Sequence, residues 1–260
     1  MKKDPFIDVI MPNYNKGEFL EESINSVIAQ EYKNWNLFII DNLSEDNSKK
    51  ILNSFKDKYN NINIFYLSKN KGVAFSRNLG IRLSKSEYIS FLDTDDYWSP
   101  NKLRDQINFM EKSGNVFSYT DYTPFFLKNN KKIYKKDIII PDTLSYNKFI
   151  NDTCIATSSM MIKRSFIGII KFPKVNSEDY AFKCKILKKG CIAIKIKNNS
   201  TFYRITKNSL SSNKFRNIYW SWYINKKYNK LSFLNRIKSV LLISISSLKR
   251  YGFKYSAYKI

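Results

Sequence analysis

The sequence predicts an α/β protein built on a mostly parallel sheet with helices on both faces, and three observations carry that expectation. Short runs rich in Ile, Val, Phe and Tyr recur through the first hundred residues, segments with apolar residues at helical spacing separate them, and each run ends in a polar cluster. Strand-helix-strand repetition at this spacing is the pattern of right-handed parallel crossovers.

Phe6 to Met11 is the first strand, and Glu18 to Gln30 follows as a helix with Leu20, Ile24, Val27 and Ile28 on one face. Trp35 to Ile40, Ile62 to Leu67 and Tyr88 to Leu92 are the next strands, with helices over Asp46 to Lys58 and Ala74 to Ser84 between them. After residue 115 the pattern loosens. A lysine-rich turn covers Lys128 to Lys136, Met160-Met161-Ile162 is strand-like, and a helix opens at Ser177-Glu178-Asp179 and runs through Leu187 to Gly190. No repeat, low-complexity tract or Pro/Gly linker interrupts the chain, so the one boundary expected is a soft one near residue 210.

Composition narrows the chemistry. With 260 residues, 43% of them hydrophobic, the chain can bury a sizeable core. It contains no histidine, which removes Ser-His-Asp triads, Cys-His pairs and His-ligated metals. Cys154, Cys184 and Cys191 form no CxxC pair and fit plain core positions. The apolar run after the N-terminus is too short for a signal peptide, and no later run reaches membrane-spanning length, so a cytoplasmic protein is expected. The net charge of +23 is uneven: residues 180–260 hold 19 Lys and Arg and no Asp or Glu. Such a field draws nucleic acid, anionic lipid or phosphorylated substrates, and composition does not choose among them.

The strand ends are more selective, because ligands of parallel α/β sheets bind beyond the carboxyl ends of the strands. Pro12-Asn13-Tyr14-Asn15, Asp41-Asn42, Lys69-Asn70-Lys71-Gly72 and Asp93-Thr94-Asp95-Asp96 occupy those ends. In extended backbone Asp93 and Asp95 aim their carboxylates into one space, an oxygen-only site suited to Mg²⁺ or Mn²⁺ shared with substrate phosphates. An acidic turn capping the next helix fits the same residues, and the motif alone leaves both open. Arg77, early in a helix beside Lys71-Gly72, is placed either to meet phosphate or to serve as a solvated helix charge. Asp41 stands too far ahead of the next helix to cap it well.

Taken together, these segments resemble the family 2 glycosyltransferases of GT-A fold, a Rossmann-like, mostly parallel architecture. The resemblance rests on Pro12 to Asn15, Asp41 to Asp46, Lys71 to Asn78, Asp93 to Trp98 and Glu178-Asp179-Tyr180, in family order, and covers roughly residues 6–210. Within the family it is similar to bacterial enzymes of surface polysaccharide assembly, including the teichuronic acid type, through Phe117 to Thr120, Ile186 to Gly190 and Tyr203-Arg204 onward. It implies a catalytic domain over 1–210, with nucleotide-sugar binding over about 1–115 and the acceptor side over about 116–210, and a basic helical tail over 211–260. It further implies a donor UDP-sugar whose nucleotide meets Pro12, Tyr14, Asn15, Asp41, Lys71, Gly72 and Arg77. Asp93 and Asp95 would address ribose and a Mn²⁺ or Mg²⁺ ion, Arg204 the diphosphate, and Asp179 beside Glu178 the acceptor proton. The chain departs from the family pattern at Asn42, Thr206 and Lys183-Cys184.

One metal site and one carboxylate base suffice for single displacement with inversion, and no nucleophile for a retaining route is singled out. Acids in the first turn of a helix, as Glu178 and Asp179 are, also stabilise the helix macrodipole without catalytic duty. Arg204 and Lys207 suit either a diphosphate clamp or a basic face. A sugar nucleotidyltransferase would more often carry a Gly-rich loop where Pro12 to Asn15 stand. An RNA-binding module would explain the basic tail with Tyr219, Trp220, Trp222 and Tyr223, but not the strand-end acids, so no nucleic-acid partner is expected. In the tail, Leu234, Ile237, Leu241, Ile245 and Leu248 recur at spacings of three and four among Arg236, Lys238, Lys249 and Arg250. That helix either packs on its own domain or docks on the anionic inner face of the plasma membrane, where a polyprenyl-diphosphate-linked acceptor would be met.

Overall fold

The computed structural model describes residues 4–206 and 214–251. The boundary expected near residue 210, and Lys207, lie outside them. Three strand-helix units open the chain: β1 (Ile7–Asn13) and α1 (Gly17–Ile28), β2 (Trp35–Asp41) and α2 (Ser48–Lys56), β3 (Ile62–Tyr66) and α3 (Val73–Leu83). β4 (Tyr88–Phe91), the short β5 (Tyr97–Trp98), α4 (Lys102–Ser113) and the long β6 (Phe117–Lys128) follow, then β7 (Lys131–Tyr134), β8 (Thr143–Leu144) and α5 (Tyr146–Phe149). β9 (Met161–Lys163), α6 (Arg164–Ile167), α7 (Glu178–Leu187), β10 (Ala193–Arg204), α8 (Lys214–Lys227) and α9 (Phe233–Tyr251) complete it.

The ten strands of the described residues join one sheet, in the order β3-β2-β1-β4-β9-β6-β10-β5, with β7 against β6 and β8 against β10. The first four strands pair in parallel, as helical crossovers require. Beyond β4 the sheet is mixed: β9 runs antiparallel to both β4 and β6, and β6 returns as a hairpin to β7. The expected lysine-rich turn is that hairpin, closed by Asn129 and Asn130 at φ of 50° and 58°, the left-handed pair that matches strand twist. Chain order reverses at β1, with β2 on one side and β4 on the other, which opens a crevice at their carboxyl ends.

β1 is buried along nearly its whole length because helices cover both faces. Ile7, Val9 and Met11 pack with Leu20, Ile24 and Val27 of α1 on one face, whereas Ile10 joins Ile40, Phe91 and the α7 side chains Phe182 and Ile186 on the other. Asp8 is buried at the end of β1 away from the crevice. It accepts hydrogen bonds from Asn36 Nδ2, the Ser84 and Ser86 hydroxyls and the backbone N–H groups of Lys85 and Ser86, a satisfied structural carboxylate.

Lys102 is fully buried, its Nζ 2.5 Å from Ser90 Oγ and 3.8 Å from the centre of the Trp98 ring. Burial holds its pKa well below the ordinary lysine value. The unfolded chain therefore binds the extra proton more readily, and Lys102 weakens the fold at neutral pH by an amount that shrinks as pH rises toward 10.5. Lys102→Met should be more stable than the parent in urea unfolding at pH 7, with the gap narrowing at higher pH. Ser90 Oγ keeps its own acceptor, Met160 O at 2.9 Å, so the substitution strands no polar group.

α8 and α9 dock on this core through apolar and polar groups together: Ile224 is fully buried in the cluster that holds Phe182 and Ile186, and Tyr223, Ile243 and Tyr251 pack against it. Buried Asn225 donates to Ser239 Oγ (2.8 Å) and accepts from Tyr180 Oη (2.7 Å) and Asn229 Nδ2 (2.7 Å), while Ser239 Oγ donates to Ile150 O (2.5 Å). The face of α9 turned inward carries Ser239 and Ile243, and Leu234, Ile237, Leu241 and Ile245 face outward, 37–75% exposed. The helix thus packs on its own domain, as one of the two expected alternatives has it, but through the Ser239 face, with Leu248 of the stripe half-buried.

Candidate active site

The carboxyl ends of β1 and β2 place Asn13 beside Asp41 in register. Asp41 is buried, and its Oδ1 accepts from Asn13 Nδ2 (2.7 Å) and Ser44 Oγ (2.6 Å) while Oδ2 accepts from Ser44 N (3.0 Å). It thus closes its own turn through Leu43, at φ 65°, and takes no part in capping α2. Asp46 does that, with Oδ1 on Ser48 N (3.0 Å), and its Oδ2 reaches across to Gly17 N at the start of α1 (2.8 Å). The approach is close enough that a Cβ on Gly17 would lie 1.8 Å from Asn47 Oδ1. Pro12 is half-buried, and Tyr14 and Asn15 are exposed at the rim, where Asn15 Oδ1 accepts from Glu45 N at 2.8 Å.

Asn42 explains one departure from the family pattern. Its Nδ2 donates to Asn70 Oδ1 (2.8 Å) while its Oδ1 accepts from Lys71 N (2.8 Å), so one amide ties the loop before α3 to the end of β2. A carboxylate supplies no donor for the first of these bonds. Gly72 then opens α3 at φ 80°, ψ 162°, a conformation essentially confined to glycine.

At the end of β4 the backbone does not stay extended. Asp96 N donates to Asp93 O (2.9 Å), closing a turn over Thr94 and Asp95, so the strand alternation that would aim Asp93 and Asp95 together does not apply. Asp93 turns toward α3, where its Oδ1 accepts from Arg77 Nη2 at 2.5 Å, and Asp95 Oδ2 pairs with Lys16 Nζ at 3.0 Å. Thr94 Oγ1 donates to Pro12 O (2.6 Å), pinning this turn to the end of β1. Asp96 is inside: its carboxylate accepts from Ser158 Oγ (2.5 Å) and Arg204 N (2.9 Å), and burial, then the nearby Asp95 and Asp93 charges, push its pKa well above the ordinary value.

Arg77 is 4% exposed, which corrects the alternative of a solvated helix charge. Its Nη1 donates to Glu178 Oε1 at 2.5 Å while Nη2 holds Asp93, so one guanidinium bridges the strand-end acid and the first turn of α7. Burial opposes its charge, but Asp93 and Glu178 outweigh burial and hold it above its ordinary pKa. Arg204 also points inward. It lies between the Phe19 and Phe125 rings, donates Nε to Asp95 O (2.8 Å) and pairs with Glu22 through Nη2, which corrects its placement on a basic face.

Asp179 accepts from Lys183 Nζ (2.7 Å) and Thr157 Oγ1 (3.2 Å), with about a third of its side chain, 34%, open to solvent. Burial alone would raise its pKa, but the charge and hydrogen bond of Lys183 prevail and bring it down to about 2. Glu178, more enclosed, is pushed the other way by burial despite Arg77. Lys183 is itself buried and also donates to Ile155 O at 2.7 Å. The Lys183-Cys184 departure thus places a fixed cation one helical turn behind the candidate base.

The structure brings Lys71, Gly72 and Glu178 into one cleft of about 500 Å³, completed by Lys174 ahead of α7 and by Arg216 and Trp220 of α8. Pro12, Tyr14 and Asp41 stand at the neighbouring strand ends outside it. Sequence patterns pointed to neither Lys16, Glu22 nor the Thr157–Ser159 turn, which carry no local motif. Lys183, at i+4 from Asp179, was readable as an ion pair on helix spacing alone.

Among the described residues no group of three or more carboxylate, His or Cys side chains forms a self-sufficient metal cage. Asp93 and Asp95 offer partly exposed oxygens on one turn, 31% and 25% of each side chain. That donor set fits Mg²⁺ or Mn²⁺ only where substrate phosphates and water complete the sphere, the usual arrangement for such ions on phosphate substrates.

Residues 8–169 match the Glycosyl transferase family 2 model. The chain is 31% identical over 231 residues to the putative teichuronic acid biosynthesis glycosyltransferase TuaG of Bacillus subtilis, covering 88% of this chain and 91% of that one. It is 32% identical over 253 residues to WfgD of Escherichia coli, a UDP-Glc:α-D-GlcNAc-diphosphoundecaprenol β-1,3-glucosyltransferase, covering 97% of both. Its fold superposes on S. aureus TarS 1–349 in complex with UDP-GlcNAc with a TM-score of 0.71 at 15% identity, over 98% of this chain and 76% of that one. The mannosyltransferase PcManGT of Pyrobaculum calidifontis, in complex with GDP-Man and Mn²⁺, gives 0.69 at 15% identity, over 98% and 74%. The fold is GT-A, and the chain belongs to glycosyl transferase family 2.

Proposed function

We propose that this glycosyltransferase moves a sugar from a UDP-sugar, with inversion, to a hydroxyl of a lipid-diphosphate-linked glycan at the anionic cytoplasmic face of the membrane. The observation that carries the reading is the Asp93–Arg77–Glu178 bridge, because it fixes the strand-end acid Asp93 against the first turn of α7 that holds Asp179. Residues 1–210 form the catalytic domain in this reading, and 211–260 a tail that associates with the membrane.

Asp41 and the Pro12 to Asn15 loop receive the base, and Lys71 and Gly72 line its far side beside Arg77. Asp93 and Asp95 would hold a Mn²⁺ or Mg²⁺ ion, which when bound neutralises charge on the diphosphate as a Lewis acid. Arg204 supports that turn through Asp95 O. Asp179 takes the proton of the acceptor hydroxyl as its oxygen bonds the anomeric carbon; the bond from that carbon to the diphosphate breaks on the opposite face, and UDP departs with the electron pair. The chemistry recorded in the name of WfgD, glucose from UDP-Glc to a diphosphoundecaprenol-linked sugar, supports this donor and acceptor class.

Calorimetric titration tests the donor side: UDP binding should require Mn²⁺ and weaken at least tenfold in Asp95→Ala, with Lys16 then lacking its carboxylate partner. Equal UDP affinity with and without chelator overturns the metal assignment. A thermal-shift panel of UDP, GDP and dTDP sugars with Mn²⁺ identifies the nucleotide, and stabilisation by GDP sugars alone overturns UDP.

A further inference from the structure

We infer that the outward face of α9 is a docking surface for an anionic lipid bilayer. The helix is inverted relative to an ordinary packed amphipathic helix. Its core side presents Ser239, held by Asn225 and Ile150 O, and Ile243, whereas Leu234, Leu241 and Ile245 are 75%, 58% and 47% exposed. With Ile237 they fall within one narrow stripe at 100° per residue, and Lys238 and Lys249 border it on one side. Phe233, at 59% exposure, lies near its start. An exposed apolar row of this length is rare on a soluble surface that meets only water.

Charge selects the occupant. No Asp or Glu follows Asp179 in the sequence, so α8 and α9 carry only cations, and the acid that meets α9, Asp152, is paired with Arg250 away from the stripe. A second copy docking face to face would set Lys238 and Lys249 against their own equivalents with no local acid to pair them. An anionic bilayer complements both parts, with headgroups for the lysines and the acyl boundary for the stripe. Among the described residues no helix is long and apolar enough to cross a membrane, so the helix lies in the surface.

The inference rests on the proposed lipid-linked acceptor for its purpose but not for its test. The full-length chain should co-sediment with phosphatidylcholine vesicles containing phosphatidylglycerol, and not with phosphatidylcholine alone. The double variant Leu241→Glu and Ile245→Glu should lose binding at least tenfold, and the pair Lys238→Glu and Lys249→Glu should lose it by about fivefold per residue, more at low salt. All four side chains point outward, so thermal melts should match the parent; should the apolar double variant fail to fold, the lysine pair decides alone. Transfer to a water-soluble acceptor should persist in both variants, which separates failure of docking from failure of the transferase reading. Equal pelleting of parent and variants overturns the inference. So does a parent that ignores vesicles and sediments as a dimer that Leu241→Glu splits, since the stripe is then a contact between copies.

Discussion

Asp179→Asn should lower transfer by about 10²–10⁴-fold while leaving UDP affinity unchanged, because a general base acts on the acceptor proton and makes no contact with the donor nucleotide. The amide keeps the Thr157 contact and the shape of the site, so loss of activity reads chemistry and not folding. The pH profile adds a second constraint. With its pKa held down to about 2 by Lys183, Asp179 is ionised throughout any practical assay, so no acid limb of the rate should belong to it. The stability that the pair contributes is complete above the unfolded carboxylate value of about 3.9 and is lost only as pH falls toward 2. Single-turnover rates beside calorimetric UDP binding check the expectation. Retained transfer in Asp179→Asn with a dead Glu178→Gln would assign the base to the neighbour.

Arg77→Leu should cost about 3–5 kcal/mol of stability, the range for removing one partner of a buried ion pair. The lower end is expected, because Asp93 is 31% exposed and regains water, whereas Glu178 at 13% does not. Glu178 then has burial raising its pKa and no cation opposing it, so it takes up a proton on folding. The deficit should therefore shrink as pH falls from 7 toward 5, the opposite of ordinary acid destabilisation. Urea unfolding at both values measures it. Arg77→Lys keeps the charge but not the fork, and should recover only part of the loss. A deficit independent of pH would mean that Glu178 is not the group left unpaired.

The first half of the fold was legible because each strand, crossover helix and polar strand end lies within a few residues of the next. The second half was not. There β9 enters between β4 and β6, an arrangement set by packing and carried by a run of three residues. Asp41 and Asp93 were readable as acids at strand ends and Asp179 as one in the first turn of a helix, but the pairs that join these segments were not: Arg77 and Glu178 are 101 residues apart, and no spacing rule joins them. The turn at Asp93 shows the limit of alternation arguments, which hold only while the backbone stays extended. The tail shows another. Helical periodicity tells which residues share a face and is silent on whether that face turns to the core, and in α9 hydrogen bonds to Ser239 decided it.

Those bonds have a mechanical consequence. α9 is fastened at mid-length by Ser239 and near its end by Arg250 on Asp152 and Tyr251 on Tyr122. Contacts between smooth apolar surfaces tolerate a helix rolling about its axis, but these directional ones do not, since a roll of one residue breaks both fastenings. Asn225 carries the constraint onward to Tyr180, the residue after Asp179. With the stripe lying in a bilayer, as proposed, this one rigid linkage would set the tilt of the protein and the height of Asp179 above the headgroups, and with them the depth at which an acceptor hydroxyl would have to emerge.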